Sequence, residues 1–184
     1  MRNHPFQIAI ATAAISLCLG WAPSQALANG DDAQSEQTLS PQVRKQLATM
    51  RSATAPYHDF DKATQPGLWT VIVPNPLECL EDTAGGSGAM GYHFINPDNF
   101  GVLDPARPQA LIYEPENDGS MRLVAVEFLD FSPPPPAAAP VMLGREFHYN
   151  TRFSVWALHV WIWRHNPNGL FADYNPNVSC QYAF

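Results

Sequence analysis

The sequence predicts a mainly β fold (α+β), in which a small antiparallel β-barrel or strongly curved sheet is preceded by an N-terminal helix. Short strand-like runs follow one another from residue 68 onward, and most end at or just before a proline or an Asn-Pro step. An Asp118-Gly119 step between two of these runs is typical of a tight hairpin turn. Before the runs, apolar residues recur at helical spacing.

The N-terminal helix is predicted from its start signals and from its apolar face. Ser40 is a preferred N-cap residue, and Pro41 suits the first helical position. Residues at helical spacing should then form one buried face. These residues are Val43, Leu47 and Met50.

Six runs with strand-like composition follow the helix. They cover residues 68–73, 89–95, 109–114, 121–129, 144–149 and 153–164. The two runs that flank Asp118-Gly119 predict an antiparallel hairpin, because the connection between them is short and rich in turn residues. The proline-rich stretch at 132–140 predicts an extended loop between strands rather than a domain boundary.

The first 28 residues have the features of a secretory signal peptide. Arg2 precedes an apolar run, and a small-x-small cleavage signal ends at Ala28. No later run approaches the ~20 apolar residues that span a bilayer. We therefore expect a secreted or periplasmic protein without a membrane span, with a flexible segment at 29–39 and a single β-rich domain at 40–184.

Charge and cysteine content narrow the classes of partner and the compartment. The 184-residue chain has a formal net charge of -7, and its only lysines are Lys45 and Lys62. Without a basic patch, nucleic acids and anionic membranes are not expected partners. Cys79 and Cys180 remain after removal of the leader, and a pair in an oxidising compartment predicts a disulfide. The alternatives are a thiol nucleophile and metal thiolates.

The run at 153–164 predicts a strand with one apolar face and one mixed face, because alternate residues share a face. The apolar face comprises Trp156, Leu158, Val160 and Ile162. The mixed face comprises Ala157, His159, Trp161, Trp163 and His165. Indole and imidazole groups on one face indicate a cavity or a binding surface. The alternative is that the tryptophans pack under the N-terminal helix and the histidines bond to nearby carbonyls.

Two other runs place a polar group among apolar residues. His93 lies within 89–95, and Glu127 lies within 121–129 with apolar residues on both sides. A carboxylate is seldom buried without a partner. Glu127 is therefore either a metal ligand or general base, or one half of a structural ion pair. The arginines available for such a pair are Arg122, Arg145, Arg152 and Arg164.

His93, Glu127 and His159 would place one polar residue on each of three strands. Imidazole and carboxylate groups on a rigid β scaffold form a ligand set for a divalent ion such as zinc, iron, manganese or copper. His58, beside Asp59, is a candidate fourth ligand, or Asp59 orients it near the site. Together with Trp161, these histidines and Glu127 are the predicted ligand-binding residues, and a divalent metal is the candidate cofactor.

Several motifs resemble a group of uncharacterised exported bacterial proteins. The likeness covers MGYHFINP, DPARPQALIYEP, RLVAVEFL and LHVWIWRHNPNGLFADYNPNVSC, with YHDF upstream. It implies no activity. It implies that His58, His93, Glu127 and His159 lie in the segments that define the pattern of the group.

The sequence thus predicts a secreted β-barrel domain that binds a small molecule or a metal in a cavity lined by histidine, glutamate and tryptophan. Two alternatives belong to other classes. One is a cupin-like metal-dependent enzyme, an oxygenase or an isomerase, with His93, Glu127 and His159 as ligands. The other is an interaction protein that docks a partner through an aromatic face.

Overall fold

A computed structural model describes residues 38–69, 71–73 and 78–184 of the chain. The predicted signal peptide at 1–28, and the predicted flexible segment up to residue 37, lie outside these residues. Within the described ranges, no helix is both long enough and apolar enough to cross a membrane.

The first element is a helix that begins where its capping residue predicts. Helix α1 spans Pro41–Thr54, and the Ser40 hydroxyl accepts a hydrogen bond from the Val43 backbone N–H at 3.3 Å. Its predicted apolar face is buried, with Leu47 and Met50 fully inaccessible. A 3-10 turn at Ala55–His58 and a short helix α2 at Phe60–Ala63 follow.

Apart from a 3-10 turn at Pro97–Asn99, the remaining elements are strands, and they confirm the predicted mainly β class with a strongly curved sheet. A curled antiparallel half-barrel is formed in the order β1-β3-β4-β5-β9-β8, and β2 also pairs with β3. Strands β6 and β7 form a separate small hairpin. The strands are β1 Val71–Val73, β2 Leu80–Glu81, β3 Ala89–Ile95, β4 Ala110–Pro115, β5 Met121–Asp130, β6 Val141–Met142, β7 Arg145–Glu146, β8 His148–Asn150 and β9 Val155–Val160.

The β4–β5 hairpin is confirmed at the predicted turn. The two strands pair antiparallel, and the Glu116 N–H donates to the Ser120 carbonyl at 2.9 Å. Gly119 has a φ of 82°, a left-handed conformation that side chains with a Cβ seldom adopt. The Asp118 carboxylate accepts from the Ser120 N–H at 2.9 Å and closes the turn.

The sheet buries side chains on both of its faces. The helix face packs against α1 and holds the largest apolar cluster, which includes Tyr92, Phe94, Leu111, Phe128, Trp156 and Leu158. The cavity face carries a smaller apolar set and the polar residues described below. Its apolar residues include Ile95, Ala110, Leu129, Val155 and Ala157.

Strand β9 is shorter than the sequence predicted. It ends at Val160, and beyond it the Trp161 N–H donates to the Leu170 carbonyl while the Trp163 N–H donates to the Val124 carbonyl. Because the backbone leaves the strand at Trp161, alternation no longer decides where later side chains point. The predicted placement of Trp163 and His165 on the face of His159 therefore loses its basis.

The segment after β9 is tied back to the sheet. Asn175 forms an isolated antiparallel bridge with Ala89, the first residue of β3. Val178 and Trp161 pack in one cluster with Ile112. The predicted disulfide between Cys79 and Cys180 is confirmed, and it links positions 101 residues apart.

Removal of the disulfide should destabilise the fold substantially. A cross-link across a loop of this length restricts the unfolded chain by up to about 4.7 kcal/mol in the chain-entropy model. We expect the double variant Cys79→Ala/Cys180→Ala to lose about 2 to 4.7 kcal/mol of unfolding free energy in urea titrations. The reduced wild-type protein should match the double variant, and equal stability of oxidised and reduced protein would contradict the expectation.

Helix α1 should contribute to the core through its buried face. Replacing the fully buried Leu47 with alanine removes apolar contacts and leaves a cavity, at an expected cost of about 2 to 5 kcal/mol in the free energy of unfolding. Lys45→Ala, on the exposed side of the same helix, is the control and should change stability by less than about 0.5 kcal/mol. Similar effects of the two substitutions in denaturant melts would show that α1 is not part of the cooperative core.

Candidate functional site

Three polar residues from three strands point to one place on the cavity face. Glu127 on β5 and His159 on β9 are directly paired across neighbouring antiparallel strands. Side chains of directly paired residues lie on the same face, about 4.5 to 5.5 Å apart at Cβ. The pairing register therefore brings the carboxylate and the imidazole together without any loop.

His93 reaches the same place from β3, across the intervening strand β4. Strands two positions apart in a sheet are separated by about 9.5 Å. The residue of β4 that pairs with Glu127 is Ala110, and Ala110 also pairs with Ile95 of β3. A methyl group at this position leaves space above β4 for the two longer side chains to meet.

The three functional groups are close to one another and are shielded from solvent. The His159 Nε2 lies 3.3 Å from the Glu127 Oε1, and the His93 Nε2 lies 3.6 Å from the Glu127 Oε2. The two Nε2 atoms are 3.4 Å apart. His93 and Glu127 are each 5% exposed and His159 is 2% exposed, so the three side chains are shielded from bulk solvent.

These separations are those of ligand atoms around one small cation. Ligand atoms at roughly 2.0 to 2.2 Å from a tetrahedral ion lie about 3.3 to 3.6 Å from one another. The three residues form a buried His/Glu/His group whose ligand atoms all lie within 4.8 Å of each other. The sheet therefore carries a group that could hold a metal ion.

An acidic residue of the C-terminal segment approaches the outer side of His159. The Asp173 Oδ1 lies 3.5 Å from the His159 Nδ1 and 3.3 Å from the His148 Nδ1. A carboxylate behind the distal ring nitrogen is a common companion of a metal-binding histidine, because it fixes the tautomer and the ring orientation. Asp173 is therefore positioned to direct the Nε2 lone pair of His159 into the group.

Burial and neighbouring charges shift the pKa values of the site residues in opposite directions. Burial lowers the pKa of His93 below its ordinary value, and the Glu127 carboxylate offsets only part of this effect. Burial also lowers the pKa of His159, but the carboxylates of Glu127 and Asp173 raise it more, so that it lies above the ordinary value. Burial raises the pKa of Asp173, whereas its contacts with His159 and His148 lower it below the ordinary value.

The group forms part of the wall of a cavity of about 310 Å³. Apart from the three polar residues and Asn150, the wall is apolar. Phe100 and Phe131 line it with 39% and 58% of their surfaces exposed, which places them at its outer side, and their rings meet edge to face at 4.9 Å. The remaining lining residues are Leu80, Met90, Ile95, Pro97, Leu129, Phe153, Val155 and Ala157.

Two of the predicted ligand-binding residues do not join the group. His58 lies on the 3-10 turn after α1, where its ring meets Trp163 edge to face at 4.4 Å, so the chain places it with the helix and not with the other three. Trp161 lies near His159, with nearly parallel rings 6.4 Å apart. Its Nε1 donates to the Ala172 carbonyl, and it is not among the residues that line the cavity.

The sequence left two structural alternatives open, packing of the tryptophans under the helix and an ion pair between Glu127 and an arginine. Trp163 does pack near the helix, where its Nε1 donates to the Thr54 hydroxyl at 3.1 Å. Among the described residues, none of the four arginines forms an ion pair with Glu127, and each contacts another group. Arg122 pairs with Glu116, Arg152 pairs with Glu78, Arg164 donates to the Asn177 carbonyl, and Arg145 lies over the Phe171 ring.

Sequence reasoning missed Asp173, His148 and the aromatic residues at the outer side of the cavity. Asp173 lies in a loop, where no periodic pattern indicates direction. Phe100 and Phe131 follow a 3-10 turn and a strand end, so their meeting depends on tertiary contacts. The two Phe residues stand singly among polar and turn residues, and their sequence gives no signal of pairing.

Comparisons of the chain with protein-family models, with curated proteins and with solved structures find no match. The resemblance to exported bacterial proteins stays a prediction. The curled β-sheet and its buried His/Glu/His group are thus the evidence on which a function can be based.

Asp173 should raise the basicity of His159 through its carboxylate. In metal-free protein, Asp173→Asn keeps the shape of the side chain and removes its charge, so we expect the pKa of His159 to fall. The measurement is an NMR titration of the His159 ring, with Asp130→Asn on β5 as a control that removes a carboxylate not in contact with His159. An unchanged His159 pKa in Asp173→Asn would contradict the assigned contact.

Proposed function

We propose that the protein binds one divalent transition-metal ion through His93, Glu127 and His159 and presents the open coordination position of that ion to a small molecule in the cavity. Two imidazoles and one carboxylate suit zinc, and they also form the ligand set of non-haem iron sites. The observation that carries the proposal is the convergence of three buried ligand atoms at separations of 3.3 to 3.6 Å.

A cation would also resolve the hydrogen-bonding problem of this group. Two Nε2 atoms that face each other at 3.4 Å cannot both carry a proton along the same line. The Nδ1 atoms of His93 and His159 are both buried, and neither has a hydrogen-bond partner within the part of the chain that the structure describes. If the Nε2 lone pairs of both rings point to an ion, each ring keeps its proton on Nδ1, and the Nδ1 of His159 lies 3.5 Å from the Asp173 Oδ1.

A metal-dependent enzyme is the second candidate, and the three-ligand set favours it over a closed structural metal site. Structural zinc sites use four protein ligands, whereas catalytic sites use three and leave one position for water or substrate. Here the fourth position would open toward the cavity. His159 and Asp173 would then resemble the ligand and its supporting carboxylate in such sites.

The interaction-protein alternative has less support. It relied on an exposed aromatic face that included Trp161 and Trp163. Trp161 is 3% exposed and Trp163 is packed against the helix side, so these residues offer little surface to a partner.

Export remains part of the proposal. A disulfide forms and persists in oxidising compartments, and the bond between Cys79 and Cys180 fits an extracellular or periplasmic setting. The predicted leader is compatible with this setting.

The decisive experiment for the metal site is a titration of untagged, chelator-treated protein with Zn²⁺. We expect one ion per chain in wild type. Glu127→Gln should weaken binding by at least about 100-fold, because loss of a direct ligand should exceed the 10 to 100-fold effect of removing a supporting group. Isothermal titration calorimetry and metal analysis after gel filtration provide the two readouts.

Glu114→Gln is the matched control for that experiment. Glu114 is also a buried glutamate on a strand, 8% exposed, but it belongs to β4 and accepts a hydrogen bond from the Ser179 N–H. It should bind Zn²⁺ as wild type does. Absence of stoichiometric Zn²⁺ in wild type, or equal affinities in wild type and Glu127→Gln, would contradict the proposed function.

A further inference from the structure

We propose that the cavity selects a small, largely apolar molecule, of the size of one or two rings, that carries a single lone-pair donor directed at the His/Glu/His group. This inference rests on the proposed function, because the donor would occupy the open position of the bound ion. It goes further by assigning the chemical class of the ligand.

The size of the cavity sets the size of the ligand. Its volume is about 310 Å³, at the lower end of the range for small-molecule sites. A dry apolar cavity of about 150 Å³ is sufficient to bind benzene. The space thus fits one or two rings, or a ring with a short chain, and is small for a sugar chain or a peptide.

The wall of the cavity determines the chemistry of most of the ligand. Ten of the fourteen lining residues have apolar side chains, and they come from β2, β3, β5 and β9 as well as the loops between strands. The amide of Asn150 is partly committed, since its Oδ1 accepts from the Phe153 N–H at 3.2 Å. A polar group placed away from the His/Glu/His group would therefore lose its hydrogen bonds to water without replacement.

The charged and metal-binding side chains lie together in one region of the cavity wall. His93, Glu127 and His159 touch one another, so only one small region of the wall offers coordination or charge. A ligand with two distant polar ends would leave one end unpaired in apolar surroundings. A ligand with one lone-pair donor on an apolar body would place its donor at the His/Glu/His group and its apolar part against the apolar wall.

Aromatic residues at the outer side favour a flat body. Phe100 and Phe131 meet edge to face, and Phe153 lines the same cavity. Aromatic rings prefer edge-to-face or offset contacts with other rings, and such contacts add to the effect of area burial. Phe100 and Phe131 are partly exposed, whereas the apolar lining residues on the strands are buried. The two phenylalanines therefore lie at the entrance of the cavity.

The test uses Co²⁺-loaded protein and two probes with the same donor. Imidazole supplies only the head, and 4-phenylimidazole adds an apolar ring. Co²⁺ gives visible absorption bands that change when a ligand enters its coordination sphere. We expect 4-phenylimidazole to bind at least about tenfold more tightly than imidazole, because its phenyl ring leaves water for the apolar wall.

Two variants locate the phenyl ring within the cavity. Ala157→Leu adds a larger side chain to the cavity wall, and Phe131→Ser removes an exposed aromatic ring at the entrance. Neither substitution changes a metal ligand, so the Co²⁺ bands of each variant serve as the check that it folds and binds the ion. Both should reduce the preference for 4-phenylimidazole, and Phe131→Ser provides the test if Ala157→Leu does not fold.

The outcomes separate this inference from the proposed function. If wild-type protein gives no Co²⁺ bands, the metal site is refuted, and the donor-directed ligand is refuted with it. If the bands form but the two probes bind equally, or if both folded variants keep the full preference for 4-phenylimidazole, only the ligand class is refuted. Bands that shift with both probes, with a preference lost in the variants, support it.

Discussion

The contact between the Glu127 carboxylate and two imidazoles is the interaction on which the cavity face depends. A carboxylate that is 5% exposed would be costly in an apolar sheet unless a partner offsets its charge. The partners here come from β3 and β9, the strands on either side of the β4–β5 hairpin, so the sheet must hold four strands in register to keep the group together. The same register places the apolar residues of the cavity next to it.

The helix face supplies the rigidity that the group requires. Helix α1 buries its apolar residues against the opposite side of the same strands, and this packing fixes the strands whose other face carries His93, Glu127 and His159. The C-terminal segment adds Asp173 behind His159 and is held by the bridge to Ala89 and by the disulfide. Core packing, a covalent link and a supporting carboxylate therefore act on one small group of ligand atoms.

Much of the fold was accessible from local signals. The capping residue Ser40, the Asp118-Gly119 turn and the apolar runs at β3, β4 and β5 each follow from short-range chemistry, and the structure has these elements close to the predicted positions. The convergence of His93, Glu127 and His159 also had a local signal, because each is a polar residue in an apolar strand. Alternation within a strand does not predict the order of the strands in the sheet, and that order brings β3, β5 and β9 close enough for the three residues to meet.

The structure departs from the sequence predictions where tertiary contacts, and not the regular alternation of a strand, determine the direction of a side chain. Alternation predicts Trp163 on the face of His159, but β9 ends at Val160. The Trp161 N–H then donates to the Leu170 carbonyl, the Trp163 N–H donates to the Val124 carbonyl, and the Trp163 indole packs beside the helix. His58 is adjacent to an acid in sequence, yet its turn lies on the helix face. Asp173 could not be found because a loop residue has no fixed direction until the segment is folded over the sheet.

A crystal structure of the protein grown with Zn²⁺, recorded with anomalous scattering at the zinc edge, would show whether His93, Glu127 and His159 hold the ion. We expect one strong anomalous peak per chain, within roughly 2.0 to 2.2 Å of the Nε2 atoms of His93 and His159 and of a Glu127 oxygen, with a further position open to the cavity. An ordered His/Glu/His group without such a peak at saturating Zn²⁺, or a peak bound only elsewhere on the surface, would contradict it.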